Sequence, residues 1–314
     1  MSDFRLKVFY SVAKHLSFTQ ASKELYISQP AITKHIRELE SLYGVRLFDR
    51  LGNKISLTDA GKLMLEHCEQ ILAAYRRLEY DMNLLKNEWT GDLRLGASTT
   101  ISQYVLPPIL ARFTEKYPKV NVTLMDTNSR NIEQALQNYD IDLGLVEGVF
   151  RLPSLKYEPF LHDELVPVVG IQSKLAQKDE IGLDELQQLP LVLRERGSGT
   201  LDAIEMAFDE VGLKLSSMNV RLYLGGTESI KSFLRCSDSL GIVSLQAVAP
   251  ELQRGDFKII DIKGMQIKRH FCFVHLQGQE EPSSINFMRF VYQYLKERKT
   301  EGHWIGKMLV CKED

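Results

Sequence analysis

The chain has 314 residues, 44% hydrophobic and 25% charged, with a formal net charge of −2. That length holds two or three folded units with a sizeable core, and no apolar run approaches the ~20 residues that cross a bilayer. Cys68, Cys236, Cys272 and Cys311 lie far apart without a Cys-x-x-Cys, so neither a disulfide framework nor a zinc site is indicated.

Charge is unevenly placed. Residues 1–60 carry nine Lys/Arg and six Asp/Glu, a balance of +3, which leaves −5 for the rest of a chain whose total is −2. A basic head on an acidic body fits a protein that meets DNA at one end. Met1 to Lys7 lack an apolar leader core, so the chain is expected to stay in the cytoplasm, with no membrane partner.

In chain order, Asp3 can cap a first helix whose inner face is Phe4, Val8, Phe9 and Val12, with Leu16 and Phe18 closing a three-helix core. Thr19 suits the N-cap of a short helix, Gln20 to Leu25, and Tyr26-Ile27 make a turn. Ser28 then caps a helix running to Tyr43, with Pro30 in its first turn and Gly44 just past its end. Ile32, Ile36, Leu39 and Tyr43 recur at spacings of 4, 3 and 4, one buried stripe. The opposite face presents Gln29, Thr33, Lys34 and Arg37. Two helices joined by a tight turn, the second polar over its N-terminal half, are helix-turn-helix geometry with the recognition helix second.

Val45 to Leu57 alternates and is broken by Leu51-Gly52-Asn53-Lys54, a β-hairpin wing on which Arg46, Arg50 and Lys54 put positive charge beside a duplex backbone. Thr58 caps a further helix, with Asp59 at its positive end. Phe18-Thr19-Gln20-Ala21-Ser22, Ser28-Gln29-Pro30-Ala31, Leu39-Glu40, Gly44-Val45-Arg46-Leu47-Phe48-Asp49-Arg50 and Leu57-Thr58-Asp59-Ala60-Gly61 stand in order at matching spacing. Together they resemble the amino-terminal domain of LysR-type transcriptional regulators.

From Asp59 to about Trp89 there is no Pro and, after Gly61, no Gly. Leu65, Cys68, Leu72 and Tyr75 make one seam; Leu78, Met82, Leu85 and Trp89 make a second, offset seam. Such a helix either lies on its own domain or pairs with a second copy, and pairing suits a protein that reads two half-sites.

Thr90-Gly91-Asp92 breaks the pattern, and short β runs then alternate with amphipathic helices. Strands are expected at Asp92–Gly96, Val120–Met125, Ile141–Glu147, Leu165–Ile171, Leu191–Arg194, Val220–Leu224, Gly241–Ser244, Phe257–Ile262 and Arg269–Leu276. Helices are expected at Ile101–Tyr117, Asn128–Asn138, Leu201–Val211, Thr227–Cys236, Leu245–Arg254 and Ser283–Lys299. The fold class is therefore α/β over most of the chain, in two lobes joined by two crossovers. This arrangement resembles the type 2 periplasmic-binding-protein fold that serves LysR-type regulators as their effector domain. The expected units are residues 1–58 (winged helix-turn-helix), 59–89 (linker and dimerisation helix), 90–299 (effector domain) and 300–314 (tail). The first lobe spans about 90–164 and 269–299, and the second about 165–268. The tail departs from the resemblance, and Trp304 is expected only to dock on the body.

In a two-lobed α/β domain the cleft lies at carboxyl ends of strands, faced by helix N-termini. Ser98, Thr99 and Thr100 follow the first strand of the domain; Gly197-Ser198-Gly199-Thr200 holds the equivalent place in the second lobe; Gly225-Gly226-Thr227 is a third such turn. Each combines hydroxyls with unpaired N–H groups at the positive end of a helix, which suits a carboxylate, phosphate or sulfate; plain N-caps are the alternative. The resemblance implies effector contacts at Ser98, Thr100 and Thr200. Arg194-Glu195-Arg196 can supply a charge partner or be solvated loop charge, and Glu147, which ends a strand, can read an amine.

No P-loop, Gly-x-Ser-x-Gly elbow or His-Glu-x-x-His is present, and the seven His are dispersed. His35 is placed either to touch phosphate, to be solvated or to pack on its helix. No enzyme and no cofactor are expected. The reading is a sequence-specific regulator, an activator, controlled by a small anionic metabolite. Gln29, Pro30, Thr33, Lys34 and Arg37 enter the major groove, with Gln29 and the basic groups reading base edges. Arg50 and Lys54 hold phosphates. The resemblance implies a homotetramer built as a dimer of dimers, with RNA polymerase as a further partner. A solute-binding protein or sensor without promoter control is the alternative. Arg194-Glu195-Arg196-Gly197-Ser198-Gly199-Thr200 resembles a segment of family members that answer to sulfur or carbon-assimilation metabolites.

Overall fold

A computed structural model describes residues 4–51, 54–84, 90–149, 151–278 and 281–301. It separates into two compact units, Met1–Trp89 and Thr90–Asp314.

The first unit runs α1 (Phe4–His15), α2 (Phe18–Glu24), α3 (Gln29–Tyr43), β1 (Phe48–Leu51), β2 (Lys54–Leu57) and α4 (Asp59–Leu84). The cap of α2 is Ser17, not Thr19: the Ser17 hydroxyl accepts from the Gln20 N–H at 3.2 Å, and the helix begins at Phe18. Ser28 caps α3, accepting from the Ala31 N–H, and Gly44 ends it in the left-handed conformation at φ 69°. Val8, Phe9, Val12, Phe18, Ala21, Ile32, Ile36, Leu39 and Leu47 form the core, with the Phe48 ring 5.5 Å from Phe9. Three expected core residues are outside it. Phe4 is exposed at the open end of α1, where its ring meets His35, and Tyr43 is exposed because Leu47 of the wing closes that end instead. Leu16 sits at φ 45° where the chain reverses after α1, which turns its side chain to solvent.

β1 and β2 pair antiparallel with Leu51 opposite Lys54, the expected wing. Glu40 Oε1 accepts from the Leu47 N–H at 2.9 Å, tying α3 to the wing. Gly61 lets α4 pass the wing root: a Cβ there would stand 2.1 Å from the Leu47 carbonyl oxygen. Thr58 caps α4, accepting from the Gly61 N–H at 3.0 Å. The two seams of α4 have different fates. Cys68 and Leu72 are buried in the core of this unit, whereas Leu78 and Met82 are each 53% exposed, on the same side as exposed Leu63 and Ile71. Burial pushes the Cys68 thiol up to about 12, which keeps it protonated and unreactive. Asp3, the hairpin tip Gly52-Asn53, Leu85 and Trp89 lie outside the described residues.

The second unit opens β3 (Gly91–Ser98), a π-helical turn (Ile101–Val105), α5 (Leu106–Lys116), β4 (Val120–Thr127), α6 (Ser129–Gln137) and β5 (Leu143–Glu147). These three strands pair in parallel, as βαβ units require. β6 (Leu155–Gly170) follows, ten residues longer at its start than the expected strand because it serves both lobes. Then come β7 (Glu180–Ile181), α7 (Leu183–Gln188), β8 (Leu191–Arg194), α8 (Gly199–Glu210), β9 (Val220–Leu224), α9 (Thr227–Leu234), β10 (Leu240–Ser244) and α10 (Leu245–Arg254). The expected strand over 257–262 is two short ones, β11 (Phe257–Ile259) and β12 (Asp261–Ile262), which join different neighbours, β6 and β7. β13 (Ile267–Leu276) and α11 (Pro282–Glu301) close the unit.

One nine-stranded sheet results, in the order β4-β3-β5-β13-β6-β10-β8-β9, with β11 on β6. β6 and β13 run antiparallel through its middle, and each end of the sheet carries a parallel α/β lobe. α11 continues to Glu301, two residues into the expected tail; Trp304 and Cys311 lie outside the described residues.

Candidate functional site

In the first unit, Gln29, Pro30, Thr33, Lys34 and Arg37 line one concavity of about 820 Å³, together with Arg5, Glu38, Ser41 and Leu42. Their common face follows from α3 itself, since positions 29, 33 and 37 recur every turn opposite the buried Ile32, Ile36 and Leu39. Thr33 Oγ1 donates to the Gln29 carbonyl at 3.1 Å, which leaves the hydroxyl oxygen able to accept. Lys34 stands 3.9 Å from Glu38, a loose exposed pair that a phosphate can replace. His35 packs edge-on against Phe4 at 5.5 Å, with its Nδ1 3.5 Å from Glu38 Oε2. Tyr26 is 94% exposed at φ 54°, in the turn before Ser28. Arg50 and Lys54 take their places on the wing strands; their side chains lie outside the described residues.

In the second unit the two lobes meet along a polar seam. Ser98, Thr99 and Thr100 at the end of β3 are all buried, as are Glu147, Ser198, Thr200 and Thr227. Arg194, at the end of β8, is 2% exposed and donates across the seam to Thr99 Oγ1 at 3.5 Å, while Glu195 holds its other edge at 2.8 Å. Arg269 of β13 is 3% exposed and joins three groups. Its Nε donates to Asp163 Oδ2 at 2.7 Å, and its Nη1 donates to Thr200 Oγ1 at 2.9 Å and lies 3.5 Å from Glu147 Oε1. The Ser129 hydroxyl donates to the other Glu147 oxygen at 2.6 Å. Gly199 makes the contact between lobes possible: a Cβ there would stand 2.6 Å from Glu147 Cβ and 2.9 Å from Ser129 Oγ.

Burial raises the Glu147 carboxyl, but Arg269, the Ser129 hydroxyl and Arg194 outweigh it and hold the group below the ordinary carboxylate range. Asp163 goes the other way, above its ordinary value, because burial and the charge of Glu147 prevail over Arg269 and Ser244. One guanidinium thus serves two carboxylates. Glu147, expected to read an amine, has both of its oxygens engaged within the protein, one near Arg269 and the other bonded to Ser129.

Three buried polar atoms meet no protein partner here: Ser98 Oγ, Thr100 Oγ1 and Arg269 Nη2. Two hydroxyls and one guanidinium nitrogen are donors of the kind an oxyanion accepts from. Ser198 spends its hydroxyl as the cap of α8, accepting from the Thr200 N–H at 3.2 Å. Thr227 is buried at the start of α9, and its neighbour Glu228 accepts from Tyr104 at 2.5 Å. Sequence reasoning missed Arg269, Asp163 and Ser129. The signal was there for the first two, since each is a charge at an inward position of an apolar strand. Among the described residues no group of three or more His, Cys, Asp or Glu is placed to hold a metal, and no helix is long and apolar enough to cross a membrane.

The pattern described as "Bacterial regulatory helix-turn-helix protein, lysR family" matches residues 4–62, and that of the "LysR substrate binding domain" matches residues 86–296. The RuBisCO operon transcriptional regulator of Allochromatium vinosum is 31% identical, over 91% of this chain and 94% of that one. The Synechocystis PCC6803 CcmR regulatory domain, solved in complex with 2-PG, is 31% identical with a TM-score of 0.60, covering 66% of this chain and 98% of that one. Full-length CbnR complexed with its target DNA shares the fold at a TM-score of 0.63 and 22% identity, covering 93% of this chain and 99% of that one. The chain belongs to the LysR family of transcriptional regulators, DNA-binding proteins with an effector-binding domain, and is not an enzyme.

Proposed function

We propose that this regulator answers to a small metabolite bearing an oxyanion, held between the lobes by Ser98, Thr100 and Arg269, with Thr99, Thr200 and Arg194 supporting them. The observation that carries the reading is that Ser98 Oγ and Thr100 Oγ1, at the end of β3, and Arg269 Nη2, on β13 of the same sheet, are buried without a hydrogen-bond partner. A buried hydroxyl or guanidinium edge left without a partner costs about 1–3 kcal/mol, which a ligand oxygen removes. Arg269 offers one N–H-bearing nitrogen, Nη2, to a ligand oxygen, while Arg194 and the rest of Arg269 supply positive charge that favours a carboxylate or phosphate. Thr227 belongs to a neighbouring subsite, not to this one. The ligand named with the Synechocystis relative, 2-PG, is the first compound to try.

A thermal-shift screen of the full chain against sulfate, phosphate esters and carboxylates, 2-PG included, tests this. At one hundred times its dissociation constant a true effector adds about 2.7 kcal/mol of stability. Replacing Thr100 and Thr200 with Ala should abolish the shift; an undiminished shift in the double variant refutes the placement.

At the other end, Gln29, Thr33 and the basic side chains of α3 read base edges, with Pro30 shaping the helix start, while Arg50 and Lys54 hold phosphates. Gln29→Ala or Thr33→Ala should relax sequence preference, and Lys54→Ala should weaken all duplexes and lower the salt slope by about one. Equal loss on specific and random DNA for every variant refutes this division. The exposed Leu63, Ile71, Leu78 and Met82 on α4 support pairing with a second copy, in a homotetramer built as a dimer of dimers. The chain acts in the cytoplasm, where promoter DNA and RNA polymerase are, as an activator.

A further inference from the structure

Beside the oxyanion set lies a second polar cluster with a buried lysine. Lys231 of α9 is 2% exposed. Its Nζ donates to the Ala247 carbonyl at 2.8 Å and pairs with Glu251 at 2.8 Å and Glu228 at 2.6 Å. The two carboxylates differ. Glu251 is buried, and its Oε1 gathers Lys231 together with Arg235 and Arg254, each 3.6 Å away, while Oε2 meets no hydrogen-bond donor. The Glu228 side chain is 58% exposed. It sits on the first turn of α9 and accepts from the Tyr104 hydroxyl at 2.5 Å, a bond between lobes 124 residues apart in sequence.

Tyr104 connects this cluster to the oxyanion set. It follows Thr100 by four residues across the π-helical turn, so both side chains share one face of that turn. Lys231 Nζ lies 5.2 Å from the centre of the Tyr104 ring, and Thr100 Oγ1 is one of the buried atoms without a partner.

We propose that the surroundings of Lys231 and Tyr104 form a second anion subsite, filled here by the chain's own Glu228, and that the effector carries two anionic groups, the second displacing Glu228. The inference rests on the first group binding at Ser98, Thr100 and Arg269. A two-group ligand exchanges one carboxylate for another at Lys231, so local charge is conserved while Lys231 keeps Glu251 and the Ala247 carbonyl. A single-group anion reaches only the first subsite and leaves the Tyr104–Glu228 bridge intact. Glu228 therefore screens out small anions such as sulfate and phosphate, which cannot open the bridge between lobes. Burial raises the Glu228 carboxyl, yet Lys231 and Tyr104 together hold it below its ordinary value, so it competes as a full anion near neutral pH.

The test is isothermal titration of the full chain, wild type and Glu228→Gln, with two kinds of probe. Acetate and inorganic phosphate present one group; malonate, succinate, glutarate and adipate present two at increasing separation. Glutamine keeps the size of Glu228 and removes the competing charge, and its exposed position makes the variant safe to fold. At least one dicarboxylate should bind about tenfold more tightly to Glu228→Gln, about 1.4 kcal/mol. Acetate and phosphate should change by less than about twofold. If phosphate binds both proteins and no dicarboxylate tightens, the second subsite is wrong while the oxyanion set stands. If no probe binds either protein, the oxyanion set fails and this inference fails with it.

Discussion

Replacing Arg269 with Met tests the interlobe seam most severely. The guanidinium is 3% exposed, bonds Asp163 at 2.7 Å and Thr200 at 2.9 Å, and lies 3.5 Å from Glu147. Methionine fills much of the volume but leaves two buried carboxylates without a cation. Removing one partner of a buried ion pair typically costs about 3–5 kcal/mol, because the remaining charge is stranded in a poorly solvated site. For a unit of this size that is a fall in melting temperature of roughly 6–20 °C. Thermal denaturation followed by circular dichroism at pH 7.5 measures it. Two internal controls separate this cause from loss of packing. Arg269→Met combined with Asp163→Asn should recover about half of the loss, since one stranded charge is gone. The deficit should also shrink at pH 5, because without Arg269 both carboxylates lose the cation that favours their ionised forms and take up protons more readily. A fall under about 1 kcal/mol, or a deficit that the second substitution does not relieve, refutes the argument.

Gly199→Ala places a Cβ against Glu147 and Ser129 and should hold the lobes apart, weakening effector binding at least tenfold in titration calorimetry while the duplex is bound normally. Asp202 has its carboxyl pushed up to about 6, by burial first and then by the charges of Glu205 and Glu147. The folded state therefore binds more protons there than the unfolded chain between about pH 4 and 6, and stability falls as pH rises through that window. Asp202→Asn should accordingly raise the melting temperature at pH 7.5 and leave it unchanged at pH 4. Tyr26 adopts the left-handed conformation at φ 54°, which costs a non-glycine residue about 1–2 kcal/mol. Tyr26→Gly should raise the melting temperature of the full chain by a few degrees, and an unchanged or lower value would show the conformation to be unstrained. Leu78→Glu with Met82→Glu should drive the protein to monomer in analytical ultracentrifugation without lowering its melting temperature.

Most of this architecture was legible before any coordinates. The recognition helix, its serine cap and its glycine stop follow from residues 28–44, where local chemistry and hydrophobic period agree. The misreadings cluster where local signals compete. Ser17 and Thr19 are both capping residues; with Ser17 as the cap the helix begins at Phe18, which lies in the core. β6 was half missed because Pro159 and the charges of residues 156–164 interrupt its apolar pattern; Asp163 among them meets Arg269 in the polar seam, while Lys156 and Glu158 pair with each other. The hydroxyl side of the cleft was visible from turn residues before helices. Its arginine side was not, since Arg269 lies 69 residues from Thr200 and 106 from Asp163, and only the sheet register brings them together.

That register has a further consequence for how the effector domain comes apart. β6 and β13 supply strands to both lobes, so neither lobe owns a complete sheet. Melting one lobe frays strands that the other needs, and the domain should unfold as one cooperative block despite its bilobal outline. Calorimetry of the effector domain would show a single transition whose calorimetric and van't Hoff enthalpies agree. Hydrogen exchange would find its slowest amides along β6 and β13, not at either lobe's periphery. A ligand that grips only one lobe would then still protect amides in both, through shared backbone alone.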